Sequence, residues 1–319
     1  MNKDTNYNAT IDIKPDIIIR YSGFNSTNLP TCVIYVRPQT NIVSYEKAIL
    51  KGTQKYANVS YMANLNGMLF LKDALILDHY ACEYRFAIYA GQEIEKYPEM
   101  IDKFENFFNI KFKNAKIIGS FDAILLLGKS PKELYDCFVE EKEFLKLYGQ
   151  TIKKIKDFYI VNYDIPQIIN EYNTHTNIFI VSICFKKEEY SFEEVNQSII
   201  NEILNDDKAA IIDEDKLNSL SMYDKIKRTY HLSSNHIKAM FDMTDFIFKN
   251  DCTRINFIET PLGKNLIDSG FTEDHLKSIK EYPILYVNKN NNKTLINIIE
   301  EANGRSFSET LDIFKTVLN

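Results

Sequence analysis

The Ser-x-x-Glu segments beginning at Ser130, Ser191 and Ser306 constrain this chain more than any other feature. In such a capping box the serine hydroxyl and the glutamate carboxylate satisfy orphan backbone amides reciprocally, so each segment marks a helix start. Thr260 followed by Pro261 marks a fourth, with proline in the first turn where its missing N–H is no loss. Apolar residues at helical spacing follow each start, and Phe307, Leu311, Phe314 and Leu318 form the clearest stripe. Ser234 opens a further helix carrying Ile237, Met240, Phe241, Thr244 and Phe248 along one side.

Short runs rich in Ile, Val and Phe lie between these helices. They predict strands at 16–20, 31–37, 151–156, 158–163, 177–185, 209–213, 254–259 and 284–287. Asp157 joins 151–156 to 158–163 as a tight hairpin. Asn66-Gly67, between the half-apolar runs 58–65 and 68–71, is the preferred two-residue turn of another. Helices are expected over 44–56, over 73–90 with Asp73 as its cap, and from Pro98, where Ile101, Phe104, Phe107 and Phe108 share a face. Mixed sheets packed with helices follow: an α+β fold, or an irregular α/β one, without internal repeats.

A length of 319 residues exceeds one ordinary domain and predicts two. Residues 1–150 carry 18 basic and 18 acidic groups, and residues 151–319 carry 20 and 26. The net charge of −6 therefore belongs to the second half. With a join expected at 144–150, the chain divides into a polar tail 1–15, an α+β domain 16–148 and an acidic α/β domain 149–319. No run of Lys or Arg supplies the basic face that a phosphate backbone requires, so no nucleic-acid partner is expected. The acidic stretch 206–215 reads as a solvated loop edge.

The longest apolar stretch, 177–185, is half a membrane span, and residues 1–16 lack the apolar core of a signal peptide. A cytoplasmic protein without a membrane partner is expected. The excess of 32 Lys over six Arg, the 42 Ile and the absence of Trp read as nucleotide bias, which makes the few arginines the more informative cations. Cys32, Cys82, Cys137, Cys184 and Cys252 stand about fifty residues or more apart, with no metal-ligand or redox spacing.

Motif by motif, little survives. Residues 123–130 fit a loose phosphate-loop pattern, but four large aliphatics would surround the phosphates and Pro131 removes an amide donor. His231, His236 and His275 have no acidic or Cys partner at ligand spacing, so surface or cap roles are expected and metal sites and cofactors are not. Arg20 and Arg37 each close a strand around a polar loop. An antiparallel pairing of those strands would leave Arg20 alone beside the loop as an anion-binding candidate. Asp164 is expected to cap the helix that Pro166 enters.

The most informative constellation is Asp78, His79, Glu83 and Arg85 on the otherwise apolar helix 73–90. His79 and Glu83 are four apart and share a side, as do Asp78 and Arg85, seven apart. Ionisable groups on a buried helix must be paired or line a cavity. Two functions are consistent with this. The first is a protein-interaction or regulatory module without its own chemistry, meeting another protein through the acidic C-terminal domain. The second is a metal-independent small-molecule enzyme using a His79/Glu83 acid–base pair, with Arg85 or Arg20 as an anion clamp.

Overall fold

A computed structural model describes residues 14–318 apart from 24–28, 73, 173–174, 207–225, 227 and 290–291. The expected strand 209–213 lies outside the described residues. In chain order the strands are β1 (Asp16–Ile19), β2 (Thr31–Val36), β3 (Ala57–Asn66), β4 (Lys116–Gly119), β5 (Phe144–Leu147), β6 (Gln150–Ile155), β7 (Phe158–Val161), β8 (Asn177–Phe185), β9 (Tyr230–Leu232), β10 (Ile284–Lys289) and β11 (Asn292–Asn297). The first eight described helices are α1 (Val43–Thr53), α2 (Gly67–Lys72), α3 (Leu75–His79), α4 (Ala81–Ile94), α5 (Pro98–Phe108), α6 (Ser120–Leu127), α7 (Pro131–Tyr135) and α8 (Ile165–Glu171). They are followed by α9 (Phe192–Leu204), α10 (His236–Phe246), α11 (Pro261–Asp268), α12 (Glu273–Glu281), α13 (Ile298–Glu301) and α14 (Phe307–Leu318). The fold is α+β.

The central sheet has the order β1-β3-β8-β2-β9, and every neighbouring pair is antiparallel. The four strands beyond β1 are two interleaved β-α-β units, β2-α1-β3 and β8-α9-β9, the split β-α-β pattern. Alternation along the strands explains the two cores. Cys32, Ile34, Val36, Val181 and Ile183 face α1 and α9, while Val33, Tyr35, Ile178 and Ile180 face Met243 and Phe246 of α10. On the first face the helices approach closely at Gly52, where a Cβ would stand 2.7 Å from Cα of Ile199.

Residues 67–176 form an insertion between β3 and β8. It contains a second sheet of order β4-β7-β6-β5, in which β4 and β7 are parallel. The segment 144–150, expected to join two domains, is a β-hairpin of this sheet, with Leu147 opposite Gln150. The central sheet takes strands from both sides of it. The β10–β11 hairpin and the C-terminal helices build a further core around Phe241, Leu276 and Phe314. No helix among the described residues is long and apolar enough to cross a membrane.

The capping boxes of Ser130 and Ser191 form as expected, and Ser306 exchanges bonds with Glu309 in the same way. Five local expectations fail for identifiable reasons. Asn66-Gly67 does not turn a hairpin: Asn66 Oδ1 accepts from the Met68 amide at 2.9 Å and so starts helix α2 at the end of β3. The helix expected over 73–90 is broken at Tyr80 (φ −104°, ψ 28°), which separates α3 from α4. Residues 254–259 are not a strand, because Asn256 and Glu259 form a capping box that tightens 257–259 into a 3-10 turn. β1 pairs with β3 rather than β2, since β8 and β9 occupy both edges of β2. Asn235, not Ser234, caps α10 by accepting from the Lys238 amide at 2.9 Å.

Candidate functional site

Helix α10 runs beneath the central sheet with nearly every side chain buried, yet it carries Lys238, Asp242 and Asp245. Lys238 and Asp242 are four apart and Asp245 is three further on, so the three lie along one side. That side meets His79 at the end of α3 and His231 in β9. His79 Nδ1 donates to Asp245 Oδ2 at 2.8 Å, and its Nε2 lies 3.1 Å from the Lys238 ammonium. Since a carboxylate only accepts and an ammonium only donates, His79 is the neutral tautomer with its proton on Nδ1. Burial, reinforced by the Lys238 charge, pushes its pKa down to about 4.

His231 Nε2 donates to Asp242 Oδ2 at 2.6 Å, and the Ser233 hydroxyl donates to the same oxygen at 2.7 Å. Lys238 faces Asp242 Oδ1 at 3.3 Å. Burial alone would raise the Asp242 carboxyl, but Lys238 and His231 outweigh it and hold it well below the usual carboxylate range. Burial pushes His231 below its ordinary value, against the opposing pull of Asp242. At neutral pH this leaves a neutral imidazole whose Nδ1 has no hydrogen-bond partner among the described residues. Its ring stacks on Tyr35, the residue opposite it in β2, at 4.6 Å between centroids.

On the far side of His79, Asp245 pairs with Lys280, and Asp78 pairs with Arg254 at 3.1 Å and Lys280 at 3.5 Å. These groups border a cavity of about 380 Å³. A groove of about 740 Å³ opens on the His231 side, lined among others by Arg37, Tyr190, Tyr230, His236 and Arg305. The two openings therefore flank one buried chain of charges, and His231 is its end on the larger groove.

The sequence-derived candidates fare unevenly. His79 belongs to the site but with other partners than expected: the break at Tyr80 removes Glu83 from its side, and Asp245 and Asp242 take that place. Glu83 is half-buried, its carboxyl pushed up by burial, with Lys238 as the largest opposing charge. Arg85 turns away to Glu93 at 3.1 Å and to the carbonyl of Glu281, so the expected Asp78–Arg85 side does not form. Arg20 is exposed at the end of β1, and residues 24–28 of its loop lie outside the described residues. Arg37, not Arg20, turns inward. Asp164 precedes α8 but makes no side-chain cap, and its carboxyl is pushed up by burial. The phosphate-loop match 123–130 covers the end of α6, its left-handed cap Gly128 and the Ser130 cap of α7, which is no phosphate cradle.

His231, expected to have a surface or cap role, is the main correction. Its partner Asp242 is eleven residues away and reaches it because β9 leads directly into α10. The one local signal for the missed residues is three ionisable groups interrupting an otherwise apolar two-turn segment. His275 does take a cap role, in the box opened by Thr272.

One cation site needs consideration. Ligand atoms of His79, His231 and Asp242 all lie within 4.8 Å of one another, a spacing suited to a divalent metal. The Lys238 ammonium, however, already stands against His79 and Asp242 and supplies the positive charge that these groups require. The chain matches no protein-family model, no curated protein and no solved structure, so the chemistry of this site is the basis on which its function is proposed.

Proposed function

We propose that the chain is an enzyme working by general acid–base chemistry, with His231 as the base and Asp242 as the residue that orients it. The observation carrying this reading is the 2.6 Å bond from His231 Nε2 to Asp242 on a histidine that lines the 740 Å³ groove. A carboxylate behind an imidazole fixes its tautomer and stabilises the imidazolium formed when the other nitrogen takes a proton. Lys238 keeps Asp242 ionised, so the proton stays on the ring. In this role His231 Nδ1 would take a proton from water as its oxygen attacks the acyl or phosphoryl centre of an ester, and the imidazolium would return that proton to the alcohol oxygen as its bond to that centre breaks.

The test is hydrolysis of p-nitrophenyl acetate, p-nitrophenyl phosphate and bis(p-nitrophenyl) phosphate by the full chain. Turnover of at least one by the wild type, lowered by roughly 100-fold or more in His231→Gln, is expected, with His275→Gln as the unaffected surface control. Wild-type rates no higher than those of His231→Gln on all three overturn the reading.

A protein-interaction role has one observation in its favour: Leu125 and Leu126 are 80% and 60% exposed at the end of α6. They lie outside the acidic 149–319 region where a partner was expected. Light scattering of the double variant Leu125→Ser, Leu126→Ser would show reduced self-association if this face is used, and an unchanged mass would remove the observation's force.

A further inference from the structure

We infer that Arg37, Arg228 and Lys153 form a binding site for a phosphate group, placed where the His231 groove meets the inserted sheet. The three cations come from separate parts of the chain: the end of β2, the turn before β9, and β6. They converge on Tyr135 and Asp164. The Arg228 guanidinium carbon is 5.0 Å from the Tyr135 ring centre, the Lys153 ammonium is 3.4 Å from the Tyr135 carbonyl, and the Arg37 amide donates to the carbonyl of Thr229, next to Arg228, at 2.9 Å; all three cations oppose the effect of burial on the Asp164 carboxyl. The Lys153 ammonium lies 3.5 Å from the Tyr163 ring centre and donates to the carbonyl of Cys137 at 2.6 Å.

Charge balance is the core of the inference. Among the described residues, none of the three cations has a carboxylate within ion-pair distance. Lys153 is only 6% exposed, and a buried cation without a counter-ion is costly. Its ammonium is accordingly pushed down to about 8, by burial first, with Arg228 adding repulsion. Asp164 is the acid common to all three, and burial works against its ionisation. Among the described residues the buried Arg37 Nε has no hydrogen-bond partner, a donor for which these residues supply no acceptor. Burial works against the Arg37 charge, and the phenols of Tyr80 and Tyr35 are foremost among the neighbours that oppose it.

A ligand that satisfies two guanidinium forks and an ammonium carries about two negative charges on tetrahedrally arranged oxygens. That describes a phosphate better than a carboxylate. The inference does not depend on His231 being catalytic. Because Arg37 lines the His231 groove, a phosphomonoester held here would extend its remaining part toward that histidine.

Calorimetric titration of the full chain at low salt with inorganic phosphate, phenyl phosphate and acetate tests the site. Saturable binding of phosphate or phenyl phosphate, at least tenfold tighter than acetate, is expected. Arg228→Met and Arg37→Met should each weaken it tenfold or more, Arg37→Lys less so, and the surface variant His275→Gln not at all. Tighter binding of phenyl phosphate identifies a phosphomonoester site, and equal binding identifies a site for the free anion. Absence of binding at millimolar concentrations, equal affinity for acetate, or indifference to Arg228→Met in a variant with unchanged circular dichroism overturns the inference.

Discussion

The ammonium of Lys238 stands 3.1 Å from Nε2 of His79, filling the space between that imidazole and Asp242. An internal cation here does the work that a divalent metal would do between the same ligands. Lys238→Met should therefore destabilise the fold by about 3 kcal/mol or more, because Asp242 loses its closest full positive charge in a buried setting. Zinc should restore much of that loss, since it binds the folded ligand set and not the unfolded chain. Thermal melts with and without zinc check this: the variant should gain stability and the wild type should not. Equal responses of the two proteins would show that Lys238 does not occupy a metal position.

Acid sensitivity has a calculable source. Burial pushes His79 and His236 down to about 4 from an ordinary 6.5. The unfolded chain therefore takes up protons on these rings as pH falls below about 6.5, while the folded chain does not until about 4. Their contribution to stability is complete above 6.5 and is lost progressively between those values. His236 packs edge-on between Phe192 and Phe307 at 5.2 and 5.3 Å. His236→Phe should accordingly remove about 2–3 kcal/mol of the stability difference between pH 7 and pH 4.5. Urea unfolding of both proteins at the two pH values is the measurement.

Gly52 is required by the approach of α1 to α9. Alanine there would place its Cβ 2.7 Å from Cα and 2.9 Å from N of Ile199, both backbone atoms that cannot rotate away. Separating the helices should cost about 1–3 kcal/mol, more than the helix propensity that alanine gains. Chemical denaturation of Gly52→Ala would show a lower midpoint, and an unchanged or higher midpoint would contradict the close packing.

Ser191→Ala tests the other end of the scale. The serine hydroxyl accepts from the Glu194 amide at 3.2 Å, and the Glu194 carboxylate accepts from the Ser191 amide at 2.8 Å. Losing the hydroxyl should cost about 1 kcal/mol and fray the first turn of α9, visible as faster amide exchange at 192–195. Unchanged exchange there would mean that packing, not the cap, holds the helix start.

How far the sequence can be read follows from the range of the interactions involved. The boxes at Ser130, Ser191 and Ser306 close within three residues, so the helices they start were legible, as were the hairpin around Asp157 and the runs that became β2 and β8. Asn66-Gly67 was misread because an asparagine side chain that supports a turn can equally cap a helix. The break at Tyr80 has no local signature that distinguishes it from a continuing helix. It moved His79 off the side of Glu83 and out of the pairing that spacing suggested.

The chain alone determined that helices and strands alternate, where most of them begin, and that His79 had to be paired inside the protein. Its partners were decided by tertiary structure. Asp245 is 166 residues away, and no periodicity links α3 to α10. Arg37 shows the same limit: it closes an apolar strand in the sequence, but only the order β8-β2-β9 turns it inward and brings it to Arg228. Spacing along a chain determines which side of an element a group occupies. Only packing determines what that side meets, because the energy of a buried charge is set by its neighbours in space.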